Sequence, residues 1–248
     1  MSFKDHFSGH AQAYADARPS YPDRLFEYLN SQCDKHDLVW DCATGNGQAA
    51  VSLARTFKRV IATDGSAEQV EQAQPKPNIE YRQMTAEQPL PEEGSCDLVT
   101  VAQALHWFDT DVFFENAKRS LNEGGVLAAW CYAQHQINDS VDAVVEKLYA
   151  QILGEYWPPE RRLVENHYRD ITFPFSNCYE QDLLMTREWN LRQLCAYLSS
   201  WSALQRYRKQ QGTDPLELVI DELNQAWGAD PEKLRLVTWP LKVKLGKM

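Results

Sequence analysis

The chain has 248 residues, 44% of them hydrophobic and 24% charged, with a formal net charge of −10. Eight Trp, eleven Tyr and nine Phe supply a large core, which excludes disorder as the main state, and the length predicts one large domain or one domain with a sub-domain inserted. The acidic balance opposes non-specific binding to nucleic acid or anionic membrane. No run approaches the roughly 18 apolar residues of a membrane helix, and Met1-Ser2-Phe3-Lys4-Asp5-His6 lacks the basic-then-apolar order of a signal segment, so a cytoplasmic protein is expected.

Strands and helices alternate through the first half. Leu38-Val39-Trp40 is a buried run ending at Asp41. After Gly45-Asn46-Gly47, the spacing of Ala50, Val51, Ala54 and Phe57 predicts a helix over 48–57. Val60-Ile61-Ala62 is a second run, ending at Asp64. Ser66 and Gln69 have the spacing of a capping box, and Pro75 and Pro77 stop the helix that follows. Ile79, Tyr81 and Gln83 alternate as a strand, and Leu98 to Ala102 is a fourth run. A helix is predicted over 111–121 with Val112, Phe113, Ala117 and Leu121 on its apolar face, ended by Gly124-Gly125. Val126 to Trp130 is the fifth run. Runs buried on both faces and separated by helices predict a doubly wound, mostly parallel sheet of the α/β class.

After Tyr132 the rhythm changes. Helices are predicted over 141–153, 161–169, 191–209 and 215–227, and strands over 179–189 and 236–245. Trp157-Pro158-Pro159 breaks the first of these helices. The expected division is an amino-terminal lid segment over 1–34, a ligand-binding core over 35–132, a helical insertion over 133–178 acting as a lid, and the remaining sheet and helices over 179–248. Lys242, Lys244 and Lys247 alternate on the last strand, as on a protected sheet edge. Trp189, Trp201 and Trp227 are read as packing residues. The six cysteines form no C-x-x-C pair, which predicts reduced, mostly buried thiols and neither a zinc site nor a disulfide framework.

The most informative stretch is Asp41-Cys42-Ala43-Thr44-Gly45-Asn46-Gly47. A glycine-containing turn between the first strand and its helix lets the backbone approach a ligand closely. Asp41 at one strand end and Asp64 at the next are one βαβ unit apart, where a carboxylate accepts hydrogen bonds from ribose hydroxyls. A dinucleotide would place its pyrophosphate beside Asp41, which is electrostatically poor, although Ala50 is tolerable in the third glycine position. An acid-rich turn suits the ammonium of S-adenosylmethionine (SAM).

The same stretch resembles the first motif of class I SAM-dependent methyltransferases. Thr85-Ala86-Glu87 with Pro89-Leu90-Pro91 resembles their adenine-side loop, and Asp97 to Thr100 with Gln103 to Phe108 their fourth-strand segment. The similarity covers about Val39 to Trp130 and points to the small-molecule branch that includes trans-aconitate methyltransferase-like proteins. Phe7, Tyr14, Arg18-Pro19 and Tyr21-Pro22 match that branch, and Trp157-Pro158-Pro159 does so more loosely.

The resemblance implies a seven-stranded Rossmann-like methyltransferase fold with SAM as cofactor, becoming S-adenosylhomocysteine (SAH). Gly45 and Gly47 would line the methionine part, and Asp41 would contact its amino group directly or through water. Asp64 would hold the ribose, Ala86 and Glu87 would flank the adenine, and Gln103 and Ala104 would lie under the sulfonium. Tyr14 and Arg18 would close over the cofactor, with Arg18 taking either the SAM carboxylate or a structural ion pair. Ala43-Thr44 departs from the commoner Gly-Cys or Gly-Ser and stiffens the turn.

Methyl transfer needs alignment and water exclusion more than a triad or a metal. His106 is the candidate catalytic residue, as general base, substrate orienter or pocket lining. Tyr21 and Trp107 are candidate acceptor contacts. Arg161 would bind a carboxylate acceptor in a bidentate manner, or belongs with Arg162 and His167 on a solvated helix face. The expected partner is a small-molecule acceptor, its carboxylate or hydroxyl oxygen, with no nucleic acid and no membrane. Two rivals remain: an NAD-dependent oxidoreductase on a similar sheet, and a SAM-binding protein without catalysis. Nucleic-acid methylation is disfavoured because Gln103-Ala104-Leu105-His106 stands where an Asn/Asp-Pro-Pro-aromatic signature would be.

Overall fold

The computed structural model describes residues 19–248. Tyr14, Arg18 and the rest of the expected amino-terminal lid up to residue 18 lie outside them. Seven strands form one sheet: β1 (Leu38–Cys42), β2 (Arg59–Asp64), β3 (Ile79–Gln83), β4 (Cys96–Ala102), β5 (Leu121–Tyr132), β6 (Asn177–Trp189) and β7 (Arg235–Lys247). Their order is β3-β2-β1-β4-β5-β7-β6. The first five are parallel, and β7 runs antiparallel between β5 and β6. This is the doubly wound sheet expected from the alternating runs. The winding reverses between β1 and β4, which opens a crevice at their carboxyl ends.

Helices α1 (Asp23–Gln32), α2 (Gln48–Leu53) and α3 (Ala67–Glu71) accompany the first strands, and α4 (Thr110–Ser120) precedes β5. Ser66 caps α3 by accepting from the Gln69 backbone N–H. Helix α2 stops at Leu53, short of Phe57, because residues 54–56 turn so that Phe57 can drop into the core. Helix α4 is rotated from its expected face: Phe113 meets Trp40, Phe114 meets Phe173, and Val112 is 42% exposed. It ends at Ser120, before the glycines. Gly124 and Gly125 sit instead in an irregularity of β5 that shifts its register with β4 between Cys96 and Leu98. A Cβ on Gly125 would stand 3.0 Å from the Cys96 carbonyl oxygen.

The insertion after β5 contains α5 (Asp139–Glu146), continued by a wider turn over Lys147–Ile152, and α6 (Arg161–Glu165). It contributes to both core layers. Val141, Val145 and Leu148 join the layer of α1 and α2, whereas Val164, Tyr168 and Phe173 join that of α4. Helix α6 is shorter than the expected 161–169, because residues 166–170 turn back into the sheet. Between β6 and β7 lie α7 (Leu191–Ser199), α8 (Ser202–Gln211) and α9 (Ile220–Trp227). The single helix expected over 191–209 is thus divided. Trp201 adopts extended backbone and inserts its ring among Tyr197, Tyr149 and Trp157.

The lysines of β7 do not mark an edge, since β6 covers that strand. Lys242 pairs with Asp182 of β6 at 2.6 Å, and Lys244 Nζ donates to the Ile171 and Tyr168 carbonyls at 2.6 and 3.3 Å. Trp189, Trp201 and Trp227 are buried, as expected of packing residues. Cys33, Cys42, Cys96 and Cys131 are buried thiols, whereas Cys178 is exposed. No described helix is long and apolar enough to cross a membrane.

Candidate functional site

The loop joining β1 to α2 lies over the carboxyl ends of β1 and β2. Ala43, Gly45 and Gly47 have φ of +54°, +58° and +85°. Three left-handed residues in five curl the chain so that backbone N–H groups can turn toward a ligand. Gly47 is required twice over, by its φ and because a Cβ would stand 2.3 Å from the Tyr81 hydroxyl. At Gly45 the nearest atom among the described residues beyond its chain neighbours is 3.8 Å from such a Cβ, and it is the φ that asks for glycine. Alanine at position 43 carries the strain that glycine would avoid, about 1–2 kcal/mol for a left-handed L-residue. Replacing it with glycine should therefore leave stability within about 0.5 kcal/mol, since lost strain is offset by a freer unfolded chain. Ala43→Val should lower stability by about 1 kcal/mol or more, because β-branching is worst tolerated at this φ. Urea midpoints of the two variants check this.

Two carboxylates hold the loop from different sides. Asp64 Oδ2 accepts from the Gly45 N–H at 2.8 Å, and its Oδ1 accepts from the Ser66 N–H at 2.9 Å. Asp41 is fully buried beneath the loop rather than directed into the crevice. Thr44 Oγ1 donates to it at 2.5 Å and Thr100 Oγ1 at 2.6 Å. Burial raises the Asp41 pKa to about 6, although both threonines and the Ala50 N–H at the start of α2 pull it down. Asp41 thus braces the loop through Thr44 and Thr100. The Thr44 N–H donates to the Thr63 carbonyl at 2.9 Å, which ties the loop to β2.

The loop after β3 brings Ala86 and Glu87 beside the start of α4. Ala86 is buried and its carbonyl accepts from Asn116 Nδ2 at 3.3 Å. Glu87 Oε1 accepts from the Asp109 N–H at 3.3 Å. After β4, Gln103 takes a left-handed φ of +56°. Its side-chain amide donates to the Tyr132 carbonyl at 2.8 Å and accepts from the Tyr132 N–H at 2.9 Å. That pair of bonds splices the tips of β4 and β5, so Gln103 shapes the crevice floor while Ala104 is buried beside it.

His106 follows on a short 3₁₀ turn, Leu105–Trp107. Its ring is 4.6 Å from that of Trp107, and its Nδ1 lies 3.1 Å from the Tyr168 hydroxyl. The Tyr21 ring meets Trp130 edge-on at 5.5 Å. Arg161 stacks over Trp157 at 4.9 Å and over Tyr149 at 5.6 Å, and its Nε donates to the Tyr149 hydroxyl at 2.9 Å. It is half-buried, and the Tyr149 hydroxyl it binds donates in turn to Glu165. The structure therefore gathers the β1 loop, Asp64, Ala86, Glu87, Gln103 and His106 along the carboxyl ends of adjacent strands.

Tyr168 carries no marker in the sequence. It is fully buried, and both it and His167 are left-handed, with φ of +58° and +54°. Two neighbouring non-glycine residues in that region cost about 1–2 kcal/mol each, a form of strain that concentrates at functional sites. Only a folded chain reveals this, because neither residue type favours the conformation.

The residues fit SAM. The loop has no Cβ at the two positions where backbone must approach a ligand, and a carboxylate stands at the tip of β2. A methyltransferase-domain family matches residues 40–129. A protein of Dictyostelium discoideum named as a methyltransferase is 38% identical over 251 residues, which cover 99% of this chain and 95% of that one. A solved structure from Anaeromyxobacter dehalogenans, described as a type II methyltransferase, is 38% identical with a TM-score of 0.86, covering 93% of this chain and 97% of the other. A phosphoethanolamine N-methyltransferase of Haemonchus contortus, solved with SAH, shares the fold at 15% identity and a TM-score of 0.51, over 97% of this chain and 60% of that one. Sheet order, loop and relatives agree: this chain belongs to the class I SAM-dependent methyltransferases.

Proposed function

We propose that the enzyme methylates the carboxylate oxygen of a small-molecule acceptor, as the trans-aconitate methyltransferase-like resemblance implies. One observation carries this reading: the guanidinium of Arg161 lies on an aromatic pair and donates to the Tyr149 hydroxyl, which itself donates to Glu165, so that among the described residues no carboxylate pairs with the guanidinium directly. A guanidinium with no direct ion pair among the described residues can take an anionic ligand, and its planar fork matches a carboxylate. In this reading Gly45 and Gly47 line the methionine part, Asp64 holds the ribose, Ala86 and Glu87 flank the adenine, and Gln103 and Ala104 form the floor beneath the sulfonium. Tyr21, Trp107 and His106 face the acceptor.

When bound, SAM supplies a methyl carbon on a sulfonium; an acceptor oxygen lone pair forms the C–O bond as the C–S pair returns to sulfur, giving SAH. A carboxylate is already ionised at neutral pH, so no proton has to leave. The protein's work is alignment and exclusion of water.

Incubation with methyl-labelled SAM and a metabolite extract tests the class directly. Methyl esters release labelled methanol in mild alkali, whereas ethers and N-methyl products do not. Alkali-stable label in every product overturns the carboxylate reading. Arg161→Lys should keep less than about a tenth of wild-type kcat/KM, because a point charge replaces the bidentate fork. Unchanged kinetics in that variant would remove Arg161 from the acceptor site.

A further inference from the structure

We propose that Tyr168 is a positioning residue that fixes His106 as the tautomer protonated on Nε2, making His106 a hydrogen-bond donor to the acceptor oxygen and not a general base. The inference rests on the proposed acceptor site for its consequence, but its structural part stands alone. Tyr168 arrives from the insertion, 62 residues along the chain from His106, and its hydroxyl lies 3.1 Å from Nδ1. Among the described residues, that nitrogen is the hydrogen-bond partner of the Tyr168 hydroxyl. The phenol is buried away from water, so its own proton needs an acceptor. Nδ1 is that acceptor. A neutral imidazole that accepts at Nδ1 carries its proton on Nε2.

Complete burial holds the phenol in its protonated form, so the donated proton is always present. The turn that delivers it is strained and clamped. His167 and Tyr168 are both left-handed, and Lys244 of β7 donates to the carbonyls of Tyr168 and Ile171 across the same turn. A hydroxyl held this way keeps the imidazole from turning over. The assignment suits carboxylate methylation, where an Nε2–H can orient one oxygen while the other attacks and no base is required.

Nitrogen-15 NMR of the full-length protein, at a pH where His106 is neutral, reads the tautomer directly. The expected spectrum has an unprotonated Nδ1 and a protonated Nε2 for His106. In Tyr168→Phe the two tautomers should mix. A protonated Nδ1 in the wild type overturns the proposal, whatever the variant does. So does a Tyr168→Phe protein that folds and keeps the wild-type signals. With an acceptor in hand, kcat of the wild type should stay flat from about pH 6 to 9, whereas a histidine base would make it fall about tenfold per unit on the acid side of its pKa. That fall also overturns the proposal. The NMR experiment needs no acceptor, so a failed acceptor assignment and a failed tautomer assignment remain separate results.

Discussion

Replacing Asp64 with Ala should weaken SAM binding by about 100-fold or more, read by isothermal titration calorimetry. The carboxylate stands at the tip of β2, and both oxygens already work on backbone N–H groups, one from the β1 loop and one from the start of α3. Hydrogen bonds to a charged group contribute about 1.5–3 kcal/mol each, and two ribose hydroxyls donating to one carboxylate would together exceed the 2.7 kcal/mol that makes a factor of 100. The same substitution also frees the Gly45 N–H, so the loop keeps its Thr44–Thr63 tie to β2 but loses a second one, and the bound shape costs more ordering. Asp64→Asn retains one acceptor oxygen and should fall between the two. Equal affinity in Asp64→Ala and wild type would refute the ribose assignment.

The second large effect concerns Asp41 and pH. Its carboxyl is raised from 3.8 to about 6 by burial, so the folded protein holds this proton over a range in which the unfolded chain has released it. The folded state then binds more protons than the unfolded state, and stability falls as pH rises from about 4 to about 6. Below that window the contribution is complete, and above it the loss is flat. A difference of about 2 pKa units corresponds to roughly 3 kcal/mol. Asp41→Asn keeps the shape without the charge, with one threonine contact reversed so that the new Nδ2 donates to its hydroxyl. Ligand-free wild type should therefore lose stability between pH 4 and 6.5 relative to Asp41→Asn, by up to about 3 kcal/mol in paired urea titrations. Parallel pH curves for the two proteins would show that the buried carboxylate is not the source. The penalty is tolerable because the charge braces the loop through Thr44 and Thr100.

The insertion after β5 is built into both core layers. Val141, Val145 and Leu148 fill one side of the sheet, and Val164, Tyr168 and Phe173 fill the other. It is part of the fold's core on both faces, and its residues reach the carboxyl ends of the strands from there. Arg161 and Tyr168 are consequently placed by rigid packing, which favours reproducible alignment of a small acceptor.

Gly45, Gly47 and Asp64 were legible in the sequence because their signals are local. A left-handed turn needs glycine wherever it is built, and a short apolar run ending in an acid reads as a buried strand with its tip at a crevice. The five parallel strands follow from the same kind of pattern, since a strand buried on both faces must be apolar throughout. Other features depended on neighbours far along the chain. Alternating lysines on β7 look alike whether the strand is an edge or lies between two others, and only the pairing with β6 decided it. The break at Trp201 has no local breaker; the ring's aromatic partners pull it out of helix. His106 could be found from its place after β4, but not its protonated nitrogen, because the hydroxyl that sets it comes from Tyr168 in a turn that local propensity disfavours. The sequence alone determined the strand tips and the donor loop, since those obey short-range rules of backbone and burial. Tertiary structure decided the strand order and the surroundings of His106 and Arg161, since those rest on contacts between segments that no short window contains.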